Sequence, residues 1–300
     1  MKHSDIIFDY LINKQIEVAK DNDVSCDSQL KPFKQDYYEI VTDEESKMFG
    51  KPKGKYNLLS CPNVLNISSD EEEMCIKLFE NTLVNFVGDI SSTDRILVVG
   101  LGNRHISSDS LGAKVVGKIN ITIENKLLPK VMAIAPSVMG LTGIETKEII
   151  DGVIDKVKPT HLILIDSLCA SSTERLGRSI QVTNTGLCPG AGIGNNRKCI
   201  DNKSVKNIFS IGVPLMIYSS TFISSSLEKF GLSYDEILSV MQKAKKSPNN
   251  KELLNISKTL KKVVEDDADD MIVSIKDIEE TVEVLSNIIA KSINSVLGVV

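Results

Sequence analysis

The chain has 300 residues, 42% of them hydrophobic, and a formal charge of -5 at neutral pH. That supplies a sizeable core for one large domain, and the charge favours neither DNA nor an anionic membrane surface as a direct partner. The start, MKHSDIIFDYLINK, lacks the apolar stretch of a signal peptide, and no run reaches the roughly 18 apolar residues of a membrane span, so the sequence reads as cytosolic.

Residues 1–50 are polar and mixed in charge and read as a leader or peripheral cover without a core signal; a single domain then occupies 51–300. Residues 56–61 read as a strand, and 70–87 as a helix whose Met74, Leu78, Phe79, Leu83 and Phe86 recur near helical spacing. Three short, apolar, β-branched runs at 95–100, 131–135 and 161–166 have the character of buried parallel strands. Before the third, ETKEIIDGVIDKVK carries Ile149, Ile150, Val153, Ile154 and Val157 on one stripe. Thr142-x-x-Glu145 offers it a capping box, and Pro159 ends it. Strands alternating with helices predict an α/β layered sandwich with a mostly parallel central sheet. Runs at 179–183 and 208–217 add strands. Residues 222–264 read as polar helix broken by Ser247-Pro248-Asn249-Asn250, and the acidic run 265–270 as a solvated turn. A helix over 275–297 closes the chain. Six cysteines with no C-x-x-C pair fit neither a disulfide framework nor a zinc ribbon, and read as reduced thiols packed in the core.

Three stretches carry candidate chemistry. In VVGLGNRHISSDSLGAKVV a strand ends in Gly100, Gly102 and Asn103, and a short loop leads to Asp109. The glycines allow a tight turn and close approach of a ligand. A dinucleotide fingerprint fails because its third glycine falls at His105. Asp109 also suits a helix N-terminus, with Ser107 or Ser108 as cap. In HLILIDSLCASSTER four apolar residues run into Asp166, at the strand end where open α/β sheets gather ligands; a satisfied strand-end acid would look the same. If their strands are neighbours, Asp109 and Asp166 share one crevice. Two carboxylates there cannot both ionise easily, which equips one as base and the other as acid toward a water molecule. In NTGLCPGAGIGNNRKC, Gly192 and Gly194 precede Arg197, a loop whose amides and cation suit a substrate backbone or an acidic side chain. Of the histidines only His105 lies near a candidate loop, and neither a G-x-S-x-G elbow nor H-E-x-x-H is present.

Read together, these stretches, with PSVMGLTGIETKEIIDGVIDKVKPTHLILIDSL, ERLGRSIQVTNTGLCPGAGIGNNRK, SIGVP and MIVSIKDIEETVEVLSNIIAKSIN, resemble the germination protease family. These are atypical aspartic-type endopeptidases that degrade small acid-soluble proteins in germinating bacterial spores. The resemblance covers nearly everything from about residue 50 onward and places the two essential aspartates on Asp109 and Asp166. It implies a fold similar to hydrogenase maturation proteases, tetramers made as zymogens in the spore core, and small acid-soluble spore proteins as substrate. No metal or organic cofactor is expected, and no nucleic acid or membrane as partner. Arg175 and Arg197 are the candidate cations for a substrate glutamate. Family members carry a leader with a T-D-L-A-V-E-like sequence, whereas FDYLINKQIEVAKD contains none. They also tend to have arginine at Ser171, aspartate at Asn184, histidine at Cys188 and aspartate at Tyr218. Those four changes leave a second reading, an inactive homologue that binds spore proteins or joins an active protease in mixed tetramers. A metal-dependent maturation protease, using His105 as a ligand, is the third.

Overall fold

The computed structural model describes residues 33–122, 127–188, 199–200, 205, 207–229, 239 and 271–299. Eight strands make one sheet: β1 (Lys34–Ile40), β2 (Gly54–Ser60), β3 (Arg95–Gly100), β4 (Lys130–Ile134), β5 (His161–Ala170), β6 (Ser179–Thr183), β7 (Asn207–Tyr218) and β8 (Ile272–Ser274). Their order is β1-β2-β6-β7-β5-β3-β4, with β8 beside β7. The apolar runs β7, β5, β3 and β4 pair in parallel, with helices crossing over from β3 to β4 and from β4 to β5. β6, β2 and β1 extend the sheet by antiparallel pairing, as does β8. The architecture is α/β, as the alternation of elements predicts.

Among the described residues, helices α1 (Asp43–Phe49), α2 (Ser69–Val87), α3 (Leu111–Val116), α4 (Met139–Thr142), α5 (Thr146–Val157), α6 (Ser219–Lys229) and α7 (Ile278–Val296) surround the sheet. Alternation along the strands divides the core between two faces. Ile96, Val98, Ile163 and Ile165 meet Phe79 of α2, Val115 of α3 and Ile289 of α7. Leu97, Val99, Leu162 and Leu164 meet Ile150 and Ile154 of α5 on the other face. α2 starts in a true capping box: Ser68 accepts from the Glu71 N–H, and Glu71 accepts from the Ser68 N–H.

Three expectations need correction. The first 50 residues are not free of core signal, since Phe33 and Ile40 are buried and β1 pairs with β2 along seven residues. Alternation in KQDYYEI is real but masked by charge on its exposed positions. The capping box at Thr142 and Glu145 does not form: α5 has Glu145 at its N-cap without a side-chain bond, and the Thr142 hydroxyl bonds the Val138 and Ile144 backbone instead. Lys158, in a left-handed conformation, ends that helix just before Pro159. The cysteines are not all thiols, because Cys188 and Cys199 form a disulfide. Cys61, Cys75 and Cys169 are buried and form no disulfide. The break at 247–250 and the acidic run 265–270 lie outside the described residues, and no described helix is long and apolar enough to cross a membrane.

Candidate active site

The loop after β3 is shaped by glycines that admit neighbouring backbone. A Cβ on Gly100 would overlap the carbonyl of Gly112, so α3 lies directly on the end of β3. A Cβ on Gly112 would in turn stand 2.6 Å from the carbonyl oxygen of Ile165 on β5. Gly102 has φ +94° and packs against the backbone and carboxyl group of Asp109, a conformation and a space closed to other residues. The close approach foreseen at these glycines is therefore intramolecular. Asp109 ends a single 3₁₀ turn, Ser107–Asp109, whose N-cap is Ile106; neither Ser107 nor Ser108 caps it. The N–H of Asn103 donates to the Asp109 carboxylate at 2.7 Å, which fixes the side chain over the loop.

Asp166 lies on β5 where the parallel ladder with β3 stops, and it is 7% exposed. The 3₁₀ turn carrying Asp109 packs against β5 and β7, so the two carboxyl groups come together at the carboxyl edge. Burial pushes the Asp166 carboxyl well above the usual carboxylate range, and the Asp109 charge pushes it further. One bond opposes this, from the Ser167 N–H to Asp166 Oδ1 at 2.9 Å. The arrangement is an asymmetric pair: a buried acid that holds its proton beside a carboxylate anchored by a main-chain N–H.

The register extends the site sideways. Asp166 stands opposite Gly212, Gly212 opposite Gln181, Gln181 opposite Leu58 and Leu58 opposite Asp36, one row across five strands. Arg175, in the turn between β5 and β6, is buried; burial and then the Asp36 charge hold the Tyr38 phenol above its usual range, and the Arg175 charge opposes them. Arg175 thus lies within electrostatic reach of β1. The sequence reading omitted β1, Asp36 and Tyr38 because these residues fell in what looked like leader; the alternation in KQDYYEI was the available signal. Two further polar groups went unseen. The hydroxyls of Ser167, beside Asp166, and Ser137, beyond β4 at φ 68°, are buried without a hydrogen-bond partner among the described residues. Such groups cluster where a ligand completes them.

Gly192, Gly194 and Arg197 lie outside the described residues; the ends of their loop are joined by the Cys188–Cys199 disulfide and by reciprocal backbone bonds between Leu187 and Ile200. The four departures do not share one place. Asn184 lies past Thr183, which faces Ser210, toward the end where β5 and β7 begin, and its Oδ1 accepts from the Lys55 N–H at 2.8 Å. Cys188 follows Leu187, which packs with Val205 and Ile208 at the start of β7, whereas Ser171 follows the carboxyl end of β5 and Tyr218 is the last residue of β7. His161 is a satisfied core histidine bonded to Thr160 and Asn207, and His105 is exposed.

The family model for germination protease matches residues 12–267. The germination protease of Clostridium perfringens strain ATCC 13124 is 31% identical over 97% of this chain and 91% of its own length. That of Caldanaerobacter subterraneus is 33% identical over 86% of this chain and 82% of its own. The germination protease of Priestia megaterium is 35% identical over 63% of this chain and 54% of its own. Among solved structures, the [NiFe] hydrogenase maturation protease HycI from Thermococcus kodakarensis aligns with 71% of this chain and 99% of its own at a TM-score of 0.37 and 13% identity. A family model spanning most of the chain, together with relatives above 30% identity over nearly its whole length, means that the chain belongs to the germination protease family and is a hydrolase of peptide bonds.

Proposed function

We propose that the chain is an endopeptidase that degrades small acid-soluble spore proteins during germination, with Asp109 and Asp166 as a proton-sharing catalytic pair. The observation that carries this reading is the elevated proton affinity of Asp166, buried beside the charge of Asp109. In the reaction, Asp109 takes a proton from a water molecule as its oxygen attacks the scissile carbonyl, and Asp166 gives its proton to the carbonyl oxygen. The tetrahedral intermediate returns that proton to Asp166, Asp109 protonates the leaving nitrogen, and the C–N bond breaks. No metal or organic cofactor takes part. The unsatisfied hydroxyl of Ser167 is positioned to bond the water or the oxyanion.

Arg175, on the β6 side of the pair, together with the amides and cation of Gly192, Gly194 and Arg197, receives the substrate main chain and an acidic side chain. The enzyme works in the spore core as a homotetramer. Incubation of the purified protein with a small acid-soluble spore protein tests the whole reading: discrete fragments are expected, and none should form with Asp166→Asn. A folded parent that binds the spore protein but yields no fragments would instead support the inactive homologue.

A further inference from the structure

β4 is the last strand in the sheet's order, and among the described residues its outer edge is open for part of its length. The N–H of Lys130 donates inward to Asp94. Val131 points outward and is covered: its N–H donates to Thr122 Oγ1 at 2.8 Å and its carbonyl accepts from the Thr122 N–H at 3.1 Å. Strand alternation turns the N–H and carbonyl of Ala133 outward as well, and there no described residue pairs with them. That open edge borders a cavity of about 500 Å³ between α3 and the carboxyl end of β4. Its walls are small and apolar, among them Ala113, Gly117 and Ala135, and its two cations are Arg104 and Lys114. Lys114 is taken by Glu283 at 3.1 Å. The Arg104 guanidinium is exposed and has no partner among the described residues.

We propose that this cavity is a docking subsite for the substrate polypeptide, which adds a short strand to β4 at Ala133 and sets an acidic side chain against Arg104. An extended backbone is what an open strand edge recognises, through main-chain bonds. A guanidinium over apolar walls, unpaired among the described residues, selects a carboxylate, and its fork suits two oxygens at once. The place suits a peptidase. Arg104 follows Asn103, whose N–H holds Asp109, and Ser110 of the cavity wall follows Asp109 directly. β4, β3 and β5 are consecutive, so a segment leaving β4 meets the Asp109 loop after one strand spacing, roughly 4.8 Å, and Asp166 after a second. The cavity thus holds the substrate on the side of the pair opposite Arg175. This inference rests on the peptidase reading above, and a binding measurement separates the two.

The test uses full-length Asp166→Asn protein and two fluorescein-labelled extended peptides that differ only in one glutamate or glutamine, with fluorescence anisotropy as readout. The glutamate peptide is expected to bind about tenfold tighter, as a charge-assisted pair gives. Arg104→Ala should erase that difference, and Arg104→Glu should reverse it in favour of the glutamine peptide. Ala133→Pro, which removes only the outward N–H, should weaken both peptides alike. The proposal falls if Arg104→Ala keeps the glutamate preference, or if neither peptide binds up to millimolar concentration. It also falls if sedimentation shows that Arg104→Glu dissociates an assembly, since a second copy of this chain then occupies the edge. A glutamate preference in a parent that cleaves nothing would leave the docking subsite standing and remove the catalytic reading.

Discussion

Gly100 and Gly112 meet backbone to backbone, and neither position has room for a methyl group. This contact seats α3 on the end of β3, and through α3 and its preceding turn it sets where Asp109 stands relative to Asp166. Gly100→Ala and Gly112→Ala should each destabilise the fold by about 1–3 kcal/mol, the usual cost of overpacking, and lower proteolysis by more than the loss of folded protein explains. Melting curves beside activity at a temperature where all variants are folded would check this; full activity in either variant would show that the contact does not position the aspartate.

Replacing either aspartate by asparagine keeps its volume and ends proton exchange. Proteolysis by Asp109→Asn or Asp166→Asn should fall roughly 10²–10⁴-fold, and the double variant should be scarcely slower than the single ones. Initial rates of fragment formation decide it, and parental rates in either variant would exclude the pair.

The raised proton affinity of Asp166 also has a sign in stability. As pH rises, the unfolded chain loses this proton first, near the ordinary value of about 3.9, while the folded chain still holds it. Stability from this group is therefore complete below that value and declines as pH climbs to Asp166's own higher value. The parent should lose melting temperature relative to Asp166→Asn across that window and keep a constant offset above it. Parallel melting curves that never converge or diverge with pH would contradict the burial of an ionisable Asp166.

The resemblance to the germination protease family implies a leader with a T-D-L-A-V-E-like cleavage sequence, and FDYLINKQIEVAKD contains none, so incubation of the full-length protein at mildly acidic pH should leave residues 1–30 without a single discrete cut. Intact-mass measurement over time tests this. One clean truncation that disappears in Asp166→Asn would reverse the expectation.

The Cys188–Cys199 disulfide closes a short loop, and loops of this size contribute on the order of 2–3 kcal/mol by restricting the unfolded chain. Dithiothreitol or Cys199→Ser should lower the melting temperature by a like amount, and the two treatments together should do no more than one. Additive effects would mean that another thiol pair had been reduced.

How much of this was legible from residues varied with the kind of signal. The buried strands were readable because runs such as RILVVG and HLILID are apolar on both faces, and Asp166 stood out as the first charge after such a run. Asp109 was readable from chain order, since it follows the neighbouring strand. β1 was not, because an edge strand buries one face only and KQDYYEI shows more charge than core. Nor was the division of the four altered positions between two ends of the sheet, since that depends on β6 running against β7 and not on spacing along the chain. The disulfide pairs cysteines separated by 11 positions across a loop, and no local pattern marks such a pair.

The direction of β1 has one more result. It runs opposite to β2, so its first residue, Lys34, faces Ser60 at the carboxyl edge of the sheet, the edge that holds Asp109 and Asp166. From β1 to β5 is four strand spacings, roughly 19 Å, which about six extended residues span.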